Sequence, residues 1–277
     1  MTDANKGQPI GSLVERSIKN GKFKVSSREI VPIEELKVGD YVSSYHFTDA
    51  SVYARTLLNT TSLSYVGKLV NIKVGRDECR CLPTHKCIAR YRDTSRDYCV
   101  YIMQRGDAFR VGMSKIWHDC NGCGPYKRLM DEGADKLWIL KTFETRRDAL
   151  LEECKISIKF RLPQAMFKFK EGRGSWTQKE FDHVWSEVSN IDDAKTAIEY
   201  YNRDIRYPYF NKSKKHTSIK RPHEVYACNL LENSEMMTRD KKWAGIELST
   251  TEYYGMVYNL SVEKDDNYYS GGVLIHA

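Results

Sequence analysis

No apolar run in this sequence approaches the ~20 residues of a membrane-spanning helix, which excludes a helical integral membrane protein and any membrane partner of that kind. The first residues, Met1 to Gly7, are polar and lack the apolar core of a signal peptide. Mean hydropathy is negative. No internal repeat or low-complexity tract is evident, so solenoids and linker-like chains are set aside. Neither sign of charge dominates: the net charge of +7 permits contact with a polyanion without establishing it. What is present is a chain of 277 residues, long enough for one or two domains. Its eight cysteines without a secretion signal predict reduced thiols and a cytoplasmic setting, prokaryotic or phage-encoded.

The closing stretch organises the rest. Alternating apolar residues from Met256 to Val262 predict a strand, Gly271-Gly272 a turn, and Val273 to Ile275 a second strand ending at His276 and Ala277. A histidine carried by a strand to the terminus points to a site there. At the other end, residues 8–47 predict short strands, with Asn20-Gly21 as a hairpin turn. Ile33 to Val42 predicts a short helical turn leading through Gly39-Asp40 into a strand. Ser43 to Ser64 is polar and predicts a loop, and Tyr65 to Val74 a strand. Pro83 turns the chain so that His85 precedes an apolar strand. The cysteines around it, Cys79, Cys81 and Cys87, lack the C-x2–4-C pairs of structural zinc sites.

Three blocks carry a resemblance. Ile33-Glu34-Glu35-Leu36-Lys37-Val38-Gly39-Asp40-Tyr41-Val42, Leu82-Pro83-Thr84-His85 and the closing strand pair resemble, in order, blocks of Hint (hedgehog/intein) domains. The resemblance implies a mostly β, horseshoe-like self-splicing domain whose two chain ends meet at one active site. It implies that His85 assists the first acyl shift and that His276 polarises the terminal carbonyl. Asn259 stands where the family often has Asp or Cys, and as a neutral amide it is limited to hydrogen bonding. Asp266 stands where many members have His, so a carboxylate takes the assisting role. Ala277 stands where the family has Asn and has no amide with which to cyclise. Ala4 is the expected first position, either native or in place of Cys, with Gly7 and Gln8 as rivals. The expectation is a splicing-deficient form trapped by Ala277, and also by Ala4 if that residue replaces Cys, whose partners are flanking extein polypeptides and whose splicing needs no cofactor.

Between these blocks the pattern becomes strand, strand, helix, strand, helix, which is α/β. Tyr98 to Met103 and Ala108 to Ser114 predict a hairpin, and Thr145 caps a helix starting near Arg146. Cys99-Val100-Tyr101 and Arg110-Val111-Gly112 stand where the GIY-YIG nuclease module has its signature, with Arg128 and Glu153 in place of its helix arginine and metal-binding glutamate. This resemblance implies an inserted homing endonuclease, active or degenerate. Tyr101 would orient water, Arg110 replaces the second tyrosine, Arg128 would meet phosphate, and Glu153 would hold Mg2+ or Mn2+. Trp176 to Val188 and Asp192 to Tyr201 predict further helices. The basic run with Lys212, Lys214, Lys215, Lys220 and Arg221 follows aromatic residues and suits double-stranded DNA. Cys120 and Cys123, near His118, form a C-x2-C pair that could take zinc. The expected organisation is 4–95 Hint, 96–170 GIY-YIG-like, 171–242 helical and basic linker, and 243–277 Hint, in a monomer. Two other readings stand beside it: a standalone DNA-binding or nuclease protein with a β scaffold, and a Hint domain that cleaves without splicing.

Overall fold

The computed structural model describes residues 6–20, 24–92, 97–118, 122–168, 177–213 and 219–277. The chain divides into two compact units, Met1–Arg92 with Pro222–Ala277, and Asp93–Arg221. The first unit begins with β1 (Gln8–Pro9), β2 (Leu13–Asn20) and β3 (Lys24–Pro32). Strands β2 and β3 form an antiparallel pair out to Asn20 and Lys24, and Gly21 of the expected turn lies outside the described residues. A 3-10 turn at Ile33–Glu35 follows. Ile33 and Leu36 are buried and pin this turn, while Glu34 and Glu35 face solvent. Gly39 takes φ +95°, a left-handed value that glycine tolerates. The Asp40 carboxylate accepts from Lys37 N at 2.9 Å and closes the turn into β4 (Tyr41–His46).

Next come β5 (Ser51–Val74), β6 (Asp77–Cys81) and β7 (Lys86–Tyr91). The loop expected over Ser43 to Ser64 is instead strand: β4 and β5 pair from Tyr41–Thr56 to His46–Ser51. The polar residues misled because this segment forms a ribbon with a partner far along the chain. Its threonines and tyrosines fit a pleated surface with one wet face.

The second unit contains β8 (Tyr98–Arg105), β9 (Ala108–Lys115), β10 (Trp117–His118), β11 (Gly122–Cys123), α1 (Gly124–Asp131), β12 (Lys136–Phe143), α2 (Arg146–Phe160), α3 (Gln178–Ser186), α4 (Ile191–Tyr200) and β13 (Phe210–Asn211). Four strands form a sheet in the order β13-β12-β8-β9. Val100, Ile102, Val111 and Trp138 from the sheet pack with Ala149 and Ile156 of α2 and with Ala197 and Ile198 of α4. Thr145 caps α2 by accepting from Asp148 N at 3.1 Å, as the sequence predicts. Thr177 and Glu180 form a reciprocal capping box that starts α3. No described helix is long and apolar enough to cross a membrane.

The chain returns to the first unit with β14 (His223–Tyr226), β15 (Ser234–Met237), β16 (Trp243–Val262), β17 (Asn267–Ser270) and β18 (Val273–His276). The return therefore falls at Arg221/Pro222, ahead of the expected 242/243, because β14 and β15 both pair with β7. Strand order runs β1-β16-β15-β7-β18-β17-β2-β4-β5-β6, and β16 also pairs with β5, so the path closes on itself. The β5–β16 ribbon carries a local repeat that the sequence reading missed. Tyr65-Val66-Gly67 with Asn71-Ile72 matches Tyr253-Tyr254-Gly255 with Asn259-Leu260. Tyr65 pairs with Gly255 and Tyr253 with Gly67. Tyr65 Oη donates to Lys68 O at 3.0 Å, and Tyr253 Oη donates to Met256 O at 2.7 Å. Each ring covers its own glycine so closely that a Cβ there would fall 2.7 Å from the phenolic oxygen. At the end of the chain, β17 and β18 join through Gly271 (φ +55°) and Gly272 (φ +84°). A Cβ on Gly271 would lie 1.7 Å from Glu78 O, so only glycine fits that turn.

Candidate functional site

The site grows from the turn between β6 and β7. His85 N donates to Leu82 O at 2.9 Å and tightens the turn that Pro83 begins. Two segments from elsewhere in the chain then pin it through three hydrogen bonds. Leu82 N donates to Gly7 O at 2.9 Å, Cys228 N to Pro83 O at 2.8 Å, and Ala227 N to His85 O at 2.8 Å. His85 itself is 1 % exposed, and among the described residues neither ring nitrogen has a hydrogen-bond partner. Burial, then the charges of His276 and Lys6, push its pKa down to about 3, with the His276 backbone acting weakly the other way. The ring is therefore neutral at neutral pH, with one N–H and one lone pair that no well-formed hydrogen bond among the described residues takes up. A buried polar group left unsatisfied costs about 1–3 kcal/mol, so its retention points to a use.

The two ends of the described chain converge here. β1 pairs Gln8 with Tyr258, and extending that register sets Gly7 opposite Asn259. Tyr268 Oη donates to Gln8 Oε1 at 3.1 Å, tying the N-terminal segment to the terminal hairpin. β18 pairs Ile275 with Cys87, and extending that register sets Ala277 opposite His85. Ala277 N donates to Asp266 O at 2.8 Å, which fixes the last residue. His276 Nδ1 lies 2.6 Å from Ala277 O, and its Nε2 lies 3.2 Å from Glu224 Oε1. Lys86 Nζ sits 2.6 Å from the other Glu224 oxygen. The His276 hydrogen bond, followed by Lys86, lowers the Glu224 carboxyl to about 2, against the effect of its burial.

The expected residues fare differently. His85, His276 and Ala277 are brought together. Asn259 sits in β16 opposite Thr61, with its Oδ1 buried and unbonded. The assisting carboxylate expected of Asp266 is a correction: the residue is exposed at φ +47° and holds Ala277 through its main-chain carbonyl. The neighbouring Asp265 is the engaged carboxylate, 2.5 Å from Arg55 Nε and 2.7 Å from His46 Nδ1, so it braces the turn before β17. Ala4 lies outside the described residues, and the rival Gly7 is the one seen at the turn. Glu224 was missed. The alternation of His223-Glu224-Val225-Tyr226 signals a strand, but nothing local ties that strand to the terminus.

In the second unit the structure gathers Tyr101, Arg110, Arg128 and Glu153. Arg110 and Glu132 form an ion pair at 2.8 Å, with side chains only 4 % and 3 % exposed. Arg110 Nη2 also reaches Tyr101 Oη at 3.5 Å, and Glu132 Oε2 accepts from Phe167 N at 3.0 Å. Tyr101 faces Gly112 across the β8–β9 pair, and a Cβ on Gly112 would fall 2.7 Å from the tyrosine ring. Burial raises the Tyr101 phenol, with the charge of Arg110 acting against it and that of Arg128 a smaller opposing influence. Burial also raises Glu153, opposed by the charge of Arg110 and a hydrogen bond from the Met113 backbone. The residues do not fit a divalent metal at Glu153. The positive charge of Arg110 acts on this carboxylate, and Glu132 is taken up by the same arginine. Among the described residues no three His, Cys, Asp or Glu side chains converge for any metal. Cys120 of the C-x2-C pair lies outside the described residues. So do Lys214 and Lys215. Lys212 and Arg221 are exposed, and Lys220 stacks 4.8 Å over the Trp117 ring.

No family model matches the chain, and no curated protein matches it. Among solved structures it is similar to a bacterial intein-like domain from Clostridium thermocellum, with TM-score 0.40 and 10% identity, covering 98% of this chain and 99% of that one. It is similar also to a DnaB intein from Synechocystis sp., with TM-score 0.38 and 9% identity over 98% of both chains. A third similar structure is an Ssp DnaB mini-intein variant, with TM-score 0.35 and 12% identity, covering 100% of this chain and 96% of that one. At such identity and superposition no family follows from likeness, and the geometry around His85 has to carry the function by itself.

Proposed function

We propose that the first unit is an intein-like self-processing domain that cuts its own C-terminal peptide bond and, with a nucleophile at its start, splices its flanking polypeptides. The observation that carries this is the meeting of Gly7 and the His276–Ala277 segment at a buried, neutral His85 whose ring nitrogens have no well-formed hydrogen bond among the described residues. Holding two peptide junctions beside acid–base groups replaces an encounter in solution by a fixed geometry. With asparagine at position 277 and a residue after it, the side-chain amide nitrogen attacks its own main-chain carbonyl carbon. The bond to the next residue breaks, and the departing amine takes up the amide proton. His276 stands at the carbonyl oxygen where negative charge develops. His85 stands across the strand pair, free to relay the proton. Alanine at 277 stops this chemistry, because it has no amide. Extending an Ala277→Asn chain by a cysteine and a reporter protein should release the reporter over hours, read on a gel. An uncut fusion at all pH values from 6 to 9 would sink the proposal (roughly the span in which a histidine changes charge).

A second reading is cleavage of the C-terminal bond without ligation, for which the contact of His276 with Ala277 O is enough. For the second unit we infer a GIY-YIG-like module that no longer cuts DNA, because the arginine in place of the second tyrosine is locked to Glu132. Nicking of DNA carrying the uninterrupted insertion site, in the presence of Mg2+, would reverse that inference.

A further inference from the structure

The half-exposed carboxylate of Glu224 belongs to a stretch that the sequence reading gave to DNA contact and linker, yet it meets the terminal histidine. Strand β14 pairs with β7, with Glu224 opposite Ile88, and this brings its side chain to the end of β18. A neutral imidazole has one N–H and one lone pair. Here both ring nitrogens of His276 face acceptors: Glu224 Oε1 at 3.2 Å from Nε2 and Ala277 O at 2.6 Å from Nδ1. Only the doubly protonated ring donates to both. Ala277 O here belongs to the last residue of the sequence and stands for a peptide carbonyl oxygen in a chain that continues.

We propose that Glu224 is a positioning residue for the C-terminal cleavage: it holds His276 as an imidazolium whose Nδ1–H is aimed at the carbonyl oxygen of residue 277. The role rests on the self-processing reading above. The charged and titratable neighbours are consistent with it. Lys86 on β7 binds the second Glu224 oxygen at 2.6 Å and keeps the carboxylate ionised. His85, on the turn before β7, is buried and neutral, so it adds no competing positive charge. Lys6 acts on His85 from the N-terminal segment. Asp266 contributes its main-chain carbonyl to Ala277 N. No proton is consumed at His276. Its N–H stabilises oxygen charge while the amide nitrogen of residue 277 bonds to the carbonyl carbon. The following amine leaves with the amide proton. The carboxylate fixes which way the ring faces, with Nδ1 toward the carbonyl oxygen.

The test uses the full chain with Ala277→Asn, a cysteine and a reporter as parent, beside its Glu224→Gln and Glu224→Asp variants. The Glu224→Gln chain should release reporter about 10- to 100-fold more slowly than the parent at pH 8, the range expected when a residue that orients an acting histidine is lost. The gap should narrow at pH 6, where the ring gains its second proton without help, and Glu224→Asp should recover part of the rate. A mere loss of folding would slow both pH values alike. On the chain as it stands, with Ala277, nitrogen NMR should find both ring nitrogens of His276 protonated at pH 7.5, and one of them deprotonated after Glu224→Gln. A parent that releases reporter while Glu224→Gln matches it at every pH overturns the role of Glu224 alone. A parent that releases nothing overturns the self-processing reading and this role with it. A singly protonated His276 in the unaltered chain overturns the imidazolium irrespective of cleavage.

Discussion

The two units treat their buried polar groups in opposite ways. In the first, His85 is enclosed with neither ring nitrogen in a well-formed hydrogen bond among the described residues, while His276 next to it reaches an oxygen of Glu224 and one of Ala277. In the second, Arg110 Nη2 pairs with Glu132, which also accepts from the Phe167 backbone, and Tyr101 is sealed beside them, although the Arg110 Nε has no partner among the described residues. A site that acts keeps hydrogen-bonding capacity in reserve for its substrate. A network whose opposite charges are already paired with each other in the interior is structural. Residue types alone do not separate the two cases, since tyrosine, arginine and glutamate are as suited to catalysis as histidine. What separates them is whether the groups are already spent on each other.

The largest expected effect tests the closed side of that contrast. Arg110→Met strands the Glu132 charge in the interior and should destabilise the second unit by about 3–5 kcal/mol in urea unfolding. Arg110→Met with Glu132→Leu should regain most of this loss. A single variant that unfolds with the parent would mean the pair is not buried in solution. Next in size, Gly271→Ala places a methyl group against Glu78 O at a left-handed φ and should cost about 2–3 kcal/mol. It should also slow reporter release from the Ala277→Asn chain, because the turn seats the strand that carries His276. Unchanged release would separate the hairpin from the site.

The smallest effect concerns pH. The Glu224 carboxyl lies at about 2 in the fold, below its ordinary value of about 4.3. A lowered carboxyl stabilises the fold in full above its unfolded pKa and loses that contribution as pH falls through the folded one. The urea midpoints of the parent and Glu224→Gln should therefore differ at pH 7 and converge between about pH 4.3 and about pH 2. Half exposure limits the difference to less than ~1 kcal/mol. A gap that stays constant with pH would show that the carboxylate charge plays no part.

What the sequence made legible was local. The buried pair Ile33 and Leu36 with Gly39-Asp40 announces its turn. Thr145 announces a helix start, Gly271-Gly272 a hairpin, and Pro83 the placement of His85. Those features depend on neighbours a few positions away. The errors lie where a residue's partner is remote. β5 looks polar until β16 covers one side of it, and β14 looks like linker until β7 pairs with it. Glu224 has no meaning without His276, and Glu132 none without Arg110. Asp266 was assigned a carboxylate role from its place in a block, whereas its main chain does the holding.

The pairing of Ala89 with His223 has a consequence for the chain as a polymer. The points where the chain leaves the first unit and re-enters it are neighbours on adjacent strands. Everything between is one closed loop, and the entropy of closing a loop grows only with the logarithm of its length. The β7–β14 pair thus makes the first unit nearly indifferent to the size of what lies between Arg92 and Pro222. A module could shrink, grow or be exchanged there while β7, β14 and the turn bearing His85 keep their places.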